Sequence, residues 1–82
     1  MATFRILLFS VLRQRMGEGT LCVEMPSPTT GAALLDQLTT DYPAFADYRG
    51  VVRIAVNHEY VSEDRVVGVE DEVALITPVS GG

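Results

Sequence analysis

The sequence predicts a single α+β domain, a mixed β-sheet with one main helix on one face and a short tail leaving the last strand. Three observations predict it. Apolar, β-favouring runs open and close the chain at residues 4–9 and 73–77. One amphipathic stripe at helical spacing lies between them over Gly31–Asp41. After the last run comes Pro78-Val79-Ser80-Gly81-Gly82, a stretch with little to pack. A chain of 82 residues has room for one thin core, burying roughly 60 to 65% of the surface exposed on unfolding. The expected division is a folded body over 1–77 and a flexible tail over 78–82.

Composition narrows the function classes. With 48% hydrophobic and 21% charged residues the chain is far from a disordered composition. Eleven acidic residues against six basic ones give a net charge of −5, which disfavours nucleic acid and anionic membranes and favours a partner with a basic docking face. No apolar run reaches membrane length and the first residues carry no leader pattern, so no membrane association is expected and a cytoplasmic location is. The single Cys22 has no disulfide partner and no zinc-ligand cluster around it, and its strand-like context predicts a packed or half-buried thiol. No metal site is expected, because the consecutive carboxylates Glu70-Asp71-Glu72 cannot converge on one ion and suit a solvated turn. All six basic residues are arginines. Codon bias is the simplest reason; the functional one is that a chain with an activated carboxylate then has no ε-amine of its own to attack it.

The elements follow in order. Residues 4–9 form a continuous apolar run broken only by Arg5, as a central strand requires. Ser10–Met16 suits one or two helical turns closed by Gly17 as C-cap. Thr20–Met25 alternates Leu21, Val23 and Met25 with Thr20, Cys22 and Glu24, the pattern of a half-buried strand closed by Pro26 and Pro28. Thr30 is an N-cap for a helix whose stripe is Ala33, Leu34, Leu35 and Leu38. Tyr42 before Pro43 is pushed out of helical geometry and stops it, after which Phe45 and Tyr48 pack a loop onto the core. Residues 51–56 make a strand, Asn57-His58-Glu59 a turn and Tyr60-Val61 the return, with His58 a surface residue lacking any nucleophile to serve.

A first hairpin, a crossing helix and a last strand returning beside the first describe a β-grasp, or ubiquitin-like, arrangement whose second sheet face is uncovered. If Phe4, Ile6 and Leu8 meet the helix, then Leu7, Phe9 and Ile76 form an exposed apolar patch near the root of the tail, the kind of patch that marks an interaction site. The tail spans at most roughly 16 to 18 Å when extended and can carry its carboxylate into a partner's channel, with glycine allowing close approach.

The segment from Asp71 through Thr77 to Pro78-Val79-Ser80-Gly81-Gly82, with Ala55-Val56-Asn57, Ile6-Leu7-Leu8-Phe9 and the stretch from Thr30 to Leu38 with Tyr42-Pro43, resembles the small subunit of molybdopterin synthase, a family of ubiquitin-like sulfur carriers. Thr77-Pro78 stands where the family often has two prolines, and Val69-Glu70 where it often has an Asp-Gly turn. The resemblance implies that the Gly82 carboxylate is the reacting group. An ATP-dependent adenylating enzyme activates it, and a sulfur donor protein converts it to a thiocarboxylate. Its sulfur then passes to a pterin precursor inside the large subunit, with which the chain forms a heterotetramer. Pro78, Val79, Ser80 and Gly81 would form the tail that enters the large subunit, Gly81 giving clearance, and Leu7, Phe9 and Ile76 would dock the body. The chain would not be catalytic alone and would hold no permanent cofactor, ATP being used by the activating partner. Activation suits the chemistry, since a carboxylate ionised at neutral pH resists nucleophiles. Carriage of sulfur for thiamin or tRNA thiolation, protein modification, and a plain interaction module are the alternatives.

Overall fold

The computed structural model describes residues 1–77, and the expected tail, Pro78, Val79, Ser80, Gly81 and Gly82, lies outside the described residues. Strand β1 (Ala2–Leu8) buries Phe4, Ile6 and Leu8 and turns Thr3 and Arg5 outward, the period of two that a half-covered strand requires. Helix α1 (Ser10–Met16) buries Leu12 and stops at Gly17, whose φ of 77° lets its N–H donate to the Arg13 carbonyl at 3.0 Å. Strand β2 (Thr20–Met25) pairs antiparallel with β1, setting Phe4 opposite Val23 and Ile6 opposite Leu21 on the covered face.

After β3 (Thr29–Thr30) comes helix α2 (Gly31–Asp41), capped where the Thr30 Oγ1 accepts the Ala33 N–H at 3.2 Å. Its buried face is Gly31, Leu34, Leu35 and Leu38; Ala33, expected in the stripe, is half-buried at its margin. Gly31 is there for space. A Cβ on it would stand 3.0 Å from Ile54 Cδ1 and 3.2 Å from the Glu63 carbonyl. The helix ends at Tyr42, and a 3-10 turn (Pro43–Asp47) drives Phe45 fully into the core.

Strands β4 (Arg53–Val56), β5 (Glu59–Val61), β6 (Val66–Val67) and β7 (Val73–Ile76) complete the chain. The main sheet runs β2-β1-β7-β4-β5, with β1 and β7 parallel and the other neighbours antiparallel. Helix α2 packs across one face of it, and the fold is a β-grasp. Arg49 fastens this layer, its Nε 3.1 Å from Asp36 and its Nη2 3.1 Å from Glu63. Its guanidinium is held above the ordinary arginine value, first by the Glu63 hydrogen bond and then by Asp36, against the effect of burial.

Three expectations change. Strand β4 starts at Arg53 and not at residue 51, because the N–H groups of Val51 and Val52 both donate to the Tyr48 carbonyl and close a turn, leaving Val51 exposed. A small ladder of β3 with β6 was not foreseen. Cys22 is exposed and not packed, since on β2 it shares the outward parity of Thr20 and Glu24 while α2 covers the other side.

Candidate functional site

The register of the strands builds the uncovered face row by row. Leu7 lies beside Ala74 across the parallel pair, Ala74 opposite Ala55, and Ala55 opposite Tyr60. These four side chains therefore cross the face as one row, and the two alanines put its lowest point in the middle. One step toward the end of β7 the next row holds Ile76 opposite Arg53, with Phe9 level with them just past the Leu8–Leu75 pair. Phe9 is 45% exposed and Tyr60 63% exposed, while Ala74 retains only 8%. Two large walls over a small-residue floor make a hollow of about 280 Å³, bounded by Phe9, Ile76, Tyr60, Ala55 and Ala74 and closed at its far end by His58 and Glu72.

That far end is held by hydrogen bonds and by the approach of His58 to Glu72. Asn57 and His58 both adopt positive φ, 53° and 72°, so the β4–β5 turn is left-handed at two non-glycine residues. Asn57 holds this shape: its Nδ2 donates to Asp71 at 3.0 Å, its Oδ1 accepts the Glu72 N–H at 2.9 Å, and its own N–H donates to the Glu72 carbonyl at 2.8 Å. Asp71 also accepts the Gly68 N–H at 2.8 Å. These donors hold the Asp71 carboxyl below its ordinary value, the Gly68 N–H contributing most and Asn57 next. His58 Nε2 then reaches Glu72 at 3.0 Å, forming the rim of the hollow. Its side chain is 81% exposed, the surface position expected of it.

The expected patch of Leu7, Phe9 and Ile76 is divided. Phe9 and Ile76 share the hollow, whereas half-buried Leu7 lies in a second depression with Arg5, Val69, Asp71 and Glu72. Val69, Asp71 and Glu72 of the 68–72 loop line this second depression, and Glu72 borders both. Ala55, Ala74, Tyr60, His58 and Glu72 were not singled out for this site. The signal available for them was the parity of β4 and β7, which places small residues at the uncovered positions. Among the described residues no group of His, Cys, Asp and Glu has the arrangement to hold a metal ion. No described helix is long and apolar enough to cross a membrane.

Residues 6–82 match the ThiS family. The chain belongs to this family. Among its relatives are the molybdopterin synthase sulfur carrier subunits of Arabidopsis thaliana, 37% identical over 95% of this chain and 81% of that protein, and of Dictyostelium discoideum, 35% identical over 96% and 95%. Among solved structures, SAMP1 from Haloferax volcanii superposes with a TM-score of 0.84 at 26% identity, covering 99% of this chain and 100% of that one. The ThiS-family match takes in the whole uncovered face from Ile6 onward and continues through the residues that follow Ile76.

Proposed function

We propose that the chain is the sulfur carrier subunit of molybdopterin synthase and that Gly82 carries the reacting atom. What supports this is the match to relatives bearing that name over nearly the whole chain. In this reading an ATP-dependent adenylating enzyme joins the Gly82 carboxylate to AMP, with pyrophosphate leaving. A sulfur nucleophile supplied by a donor protein attacks the acyl carbon, AMP departs, and a thiocarboxylate remains. The tail from Pro78 to Gly81 threads the loaded end into the large subunit of the synthase, where the sulfur passes to a pterin precursor in building the molybdenum cofactor. The compartment is the cytoplasm.

The body has a defined task in this scheme. Phe9 and Ile76, beside the root of the tail, seat on the partner, and Leu7 in the neighbouring depression extends that contact. The hollow over Ala55 and Ala74 receives an apolar side chain of the large subunit. The adenylating enzyme meets the same tail and so must compete for the surroundings of its root.

Intact mass measurement of the chain after incubation with ATP, adenylating enzyme and sulfur donor tests the chemistry. A single oxygen-for-sulfur exchange localised to Gly82 is expected, and it is absent when Gly82 is deleted. Retention of cofactor assembly by the Gly82-deleted chain would overturn the reading. The likeness to SAMP1, the small archaeal modifier protein 1 of Haloferax volcanii, favours protein conjugation as a second reading. Isopeptide adducts between Gly82 and lysines of other proteins would single that reading out.

A further inference from the structure

Strand β2 is the outermost strand at one end of the main sheet, and its six residues, Thr20–Met25, compare with three in β5 at the other end. An outer strand turns the N–H and C=O of every second residue away from the sheet, where another extended chain can pair with them.

The register identifies these residues. The Leu8 N–H donates to the Gly19 carbonyl at 2.9 Å, one step beyond the Leu7–Thr20 pair. Along an antiparallel pair, couples that exchange hydrogen bonds alternate with couples that share none. Leu8–Gly19, Ile6–Leu21 and Phe4–Val23 are therefore the bonded couples, and the backbone groups of Thr20, Cys22 and Glu24 point outward.

The middle position of the three is engaged. The Tyr42 hydroxyl donates to the Cys22 carbonyl at 3.3 Å, from twenty residues further along the chain. Tyr42 stands where α2 ends and packs half-buried against the core cluster, so its ring is anchored while its hydroxyl reaches the edge. The rest of the edge is lightly guarded: Glu24 is the one charged residue of β2, and the strand contains neither lysine nor proline.

Two such edges complement each other. Turned about a two-fold axis at Cys22, two β2 strands run antiparallel, Cys22 faces Cys22 in a bonded couple, and Thr20 faces Glu24, so the three outward residues of one copy meet the three of the other. We propose that the β2 edge is a self-pairing surface for a second copy of this chain and that the Tyr42 hydroxyl, held on the Cys22 carbonyl, keeps it closed. Each copy releases its own Tyr42 bond before Cys22 can pair, so the cost of opening enters twice in a dimer. The net charge of −5 on each copy opposes approach in the same sense and is screened by salt.

Tyr42→Phe tests this, because it keeps the ring and removes only the hydroxyl. One hydrogen bond of this kind is worth about 2- to 12-fold, so sedimentation of the reduced chains over a concentration series should show a dimerisation constant raised by about 5- to 150-fold over the parent. Mild oxidation with diamide reports the register. The Cα atoms of a bonded couple lie about 5.5 Å apart, within disulfide reach. Below saturation of the dimer, Tyr42→Phe should cross-link through Cys22 faster than the parent by a similar factor, while its thiol reacts with a small maleimide at the parent rate. In the triple variant Thr20→Cys, Cys22→Ser, Tyr42→Phe the two thiols lie four residues apart along paired strands, about 13 Å, and the cross-link should be lost. An unchanged dimerisation constant in Tyr42→Phe, or equal cross-linking from the two thiol positions, would overturn the proposal. Neither result bears on the carrier reading, since the tail takes no part.

Discussion

Replacing Phe9 by alanine separates docking from folding, and its effect can be worked from the structure. Phe9 is 45% exposed in the free chain. A phenylalanine side chain presents on the order of 200 Å², so covering that fraction at an interface removes about 90 Å² of apolar surface from water. At roughly 25 cal/mol per Å² the loss on truncation is about 2 kcal/mol, or about 30-fold in Kd. The fold bears a separate cost. Phe9 precedes α1 in an extended conformation and makes no side-chain capping bond, while the buried anchor of that helix is Leu12. The part of its side chain already covered in the free chain, a little over half, is lost to the fold whether or not the partner binds, at an upper estimate of about 2 to 3 kcal/mol. Titration calorimetry against the large subunit at a temperature where the variant is folded, with a thermal melt of the free variant, measures the two costs separately. Unchanged affinity of the folded variant would refute the docking role of the hollow, and a stability loss well above that bound would show that Phe9 anchors the core.

Three further outcomes concern the scaffold. Gly31→Ala gains up to about 1 kcal/mol of helix propensity, yet its Cβ would press on Ile54 and on the Glu63 carbonyl at 3.0 and 3.2 Å, so a net loss of about 1 to 2 kcal/mol is expected and a raised melting temperature would contradict it. Asn57→Ala removes two side-chain hydrogen bonds at a φ of 53° and should cost about 1 to 3 kcal/mol in denaturant titration. Asn57→Gly should recover the conformational part only, so equal losses in the two variants would show that strain contributes nothing. The Asp71 carboxyl is held below its ordinary value by Gly68 and Asn57. Its stabilising effect is thus complete above the unfolded value of about 3.9 and disappears as pH falls through the lower folded value. Asp71→Asn should flatten that acid limb, and an unchanged limb would mean that other carboxylates govern it.

The parts of this fold legible in the sequence were those set by neighbours in the chain. Glycine at position 17 specifies a left-handed cap, Thr30 an N-cap, Tyr42-Pro43 a stop and Asn57-His58 a tight return, because each signal acts over three or four residues. The covered parity of β1 was equally plain from Phe4, Ile6 and Leu8. The parts that were not legible depend on distant pairing. Two-residue strands such as β3 and β6 carry no periodicity, so only the approach of Thr29 to Val67 reveals them. Leu7 was grouped with Phe9 because both share a strand parity, and only the path of the 68–72 loop assigns it to a different depression. The floor of the hollow exists because Ala55 and Ala74 fall opposite each other, a fact of register between strands whose sequence positions lie far apart.

The same register explains how a small sheet leaves one face uncovered without losing stability. The buried hydrophobic cluster gathers between α2 and the covered face, where Phe4, Ile6, Leu8, Leu34, Leu38 and Leu75 are almost fully enclosed. The uncovered face adds little to that cluster, since alanines occupy its centre and the residues with large apolar area, Phe9 and Tyr60, stand at its margins. Small central residues expose little apolar surface to water and therefore carry little risk of unspecific association. They also leave the concavity that a partner's side chain can enter. A carrier that is loaded by one protein and unloaded by another must keep its fold through both encounters, and docking energy drawn from residues outside the core allows that. Substitutions at Tyr60, 63% exposed, should accordingly change affinity with little change in melting temperature, whereas those at Leu12 or Leu38 should do the reverse. Stability and affinity losses that rise together across both groups would show that the uncovered face is part of the core after all.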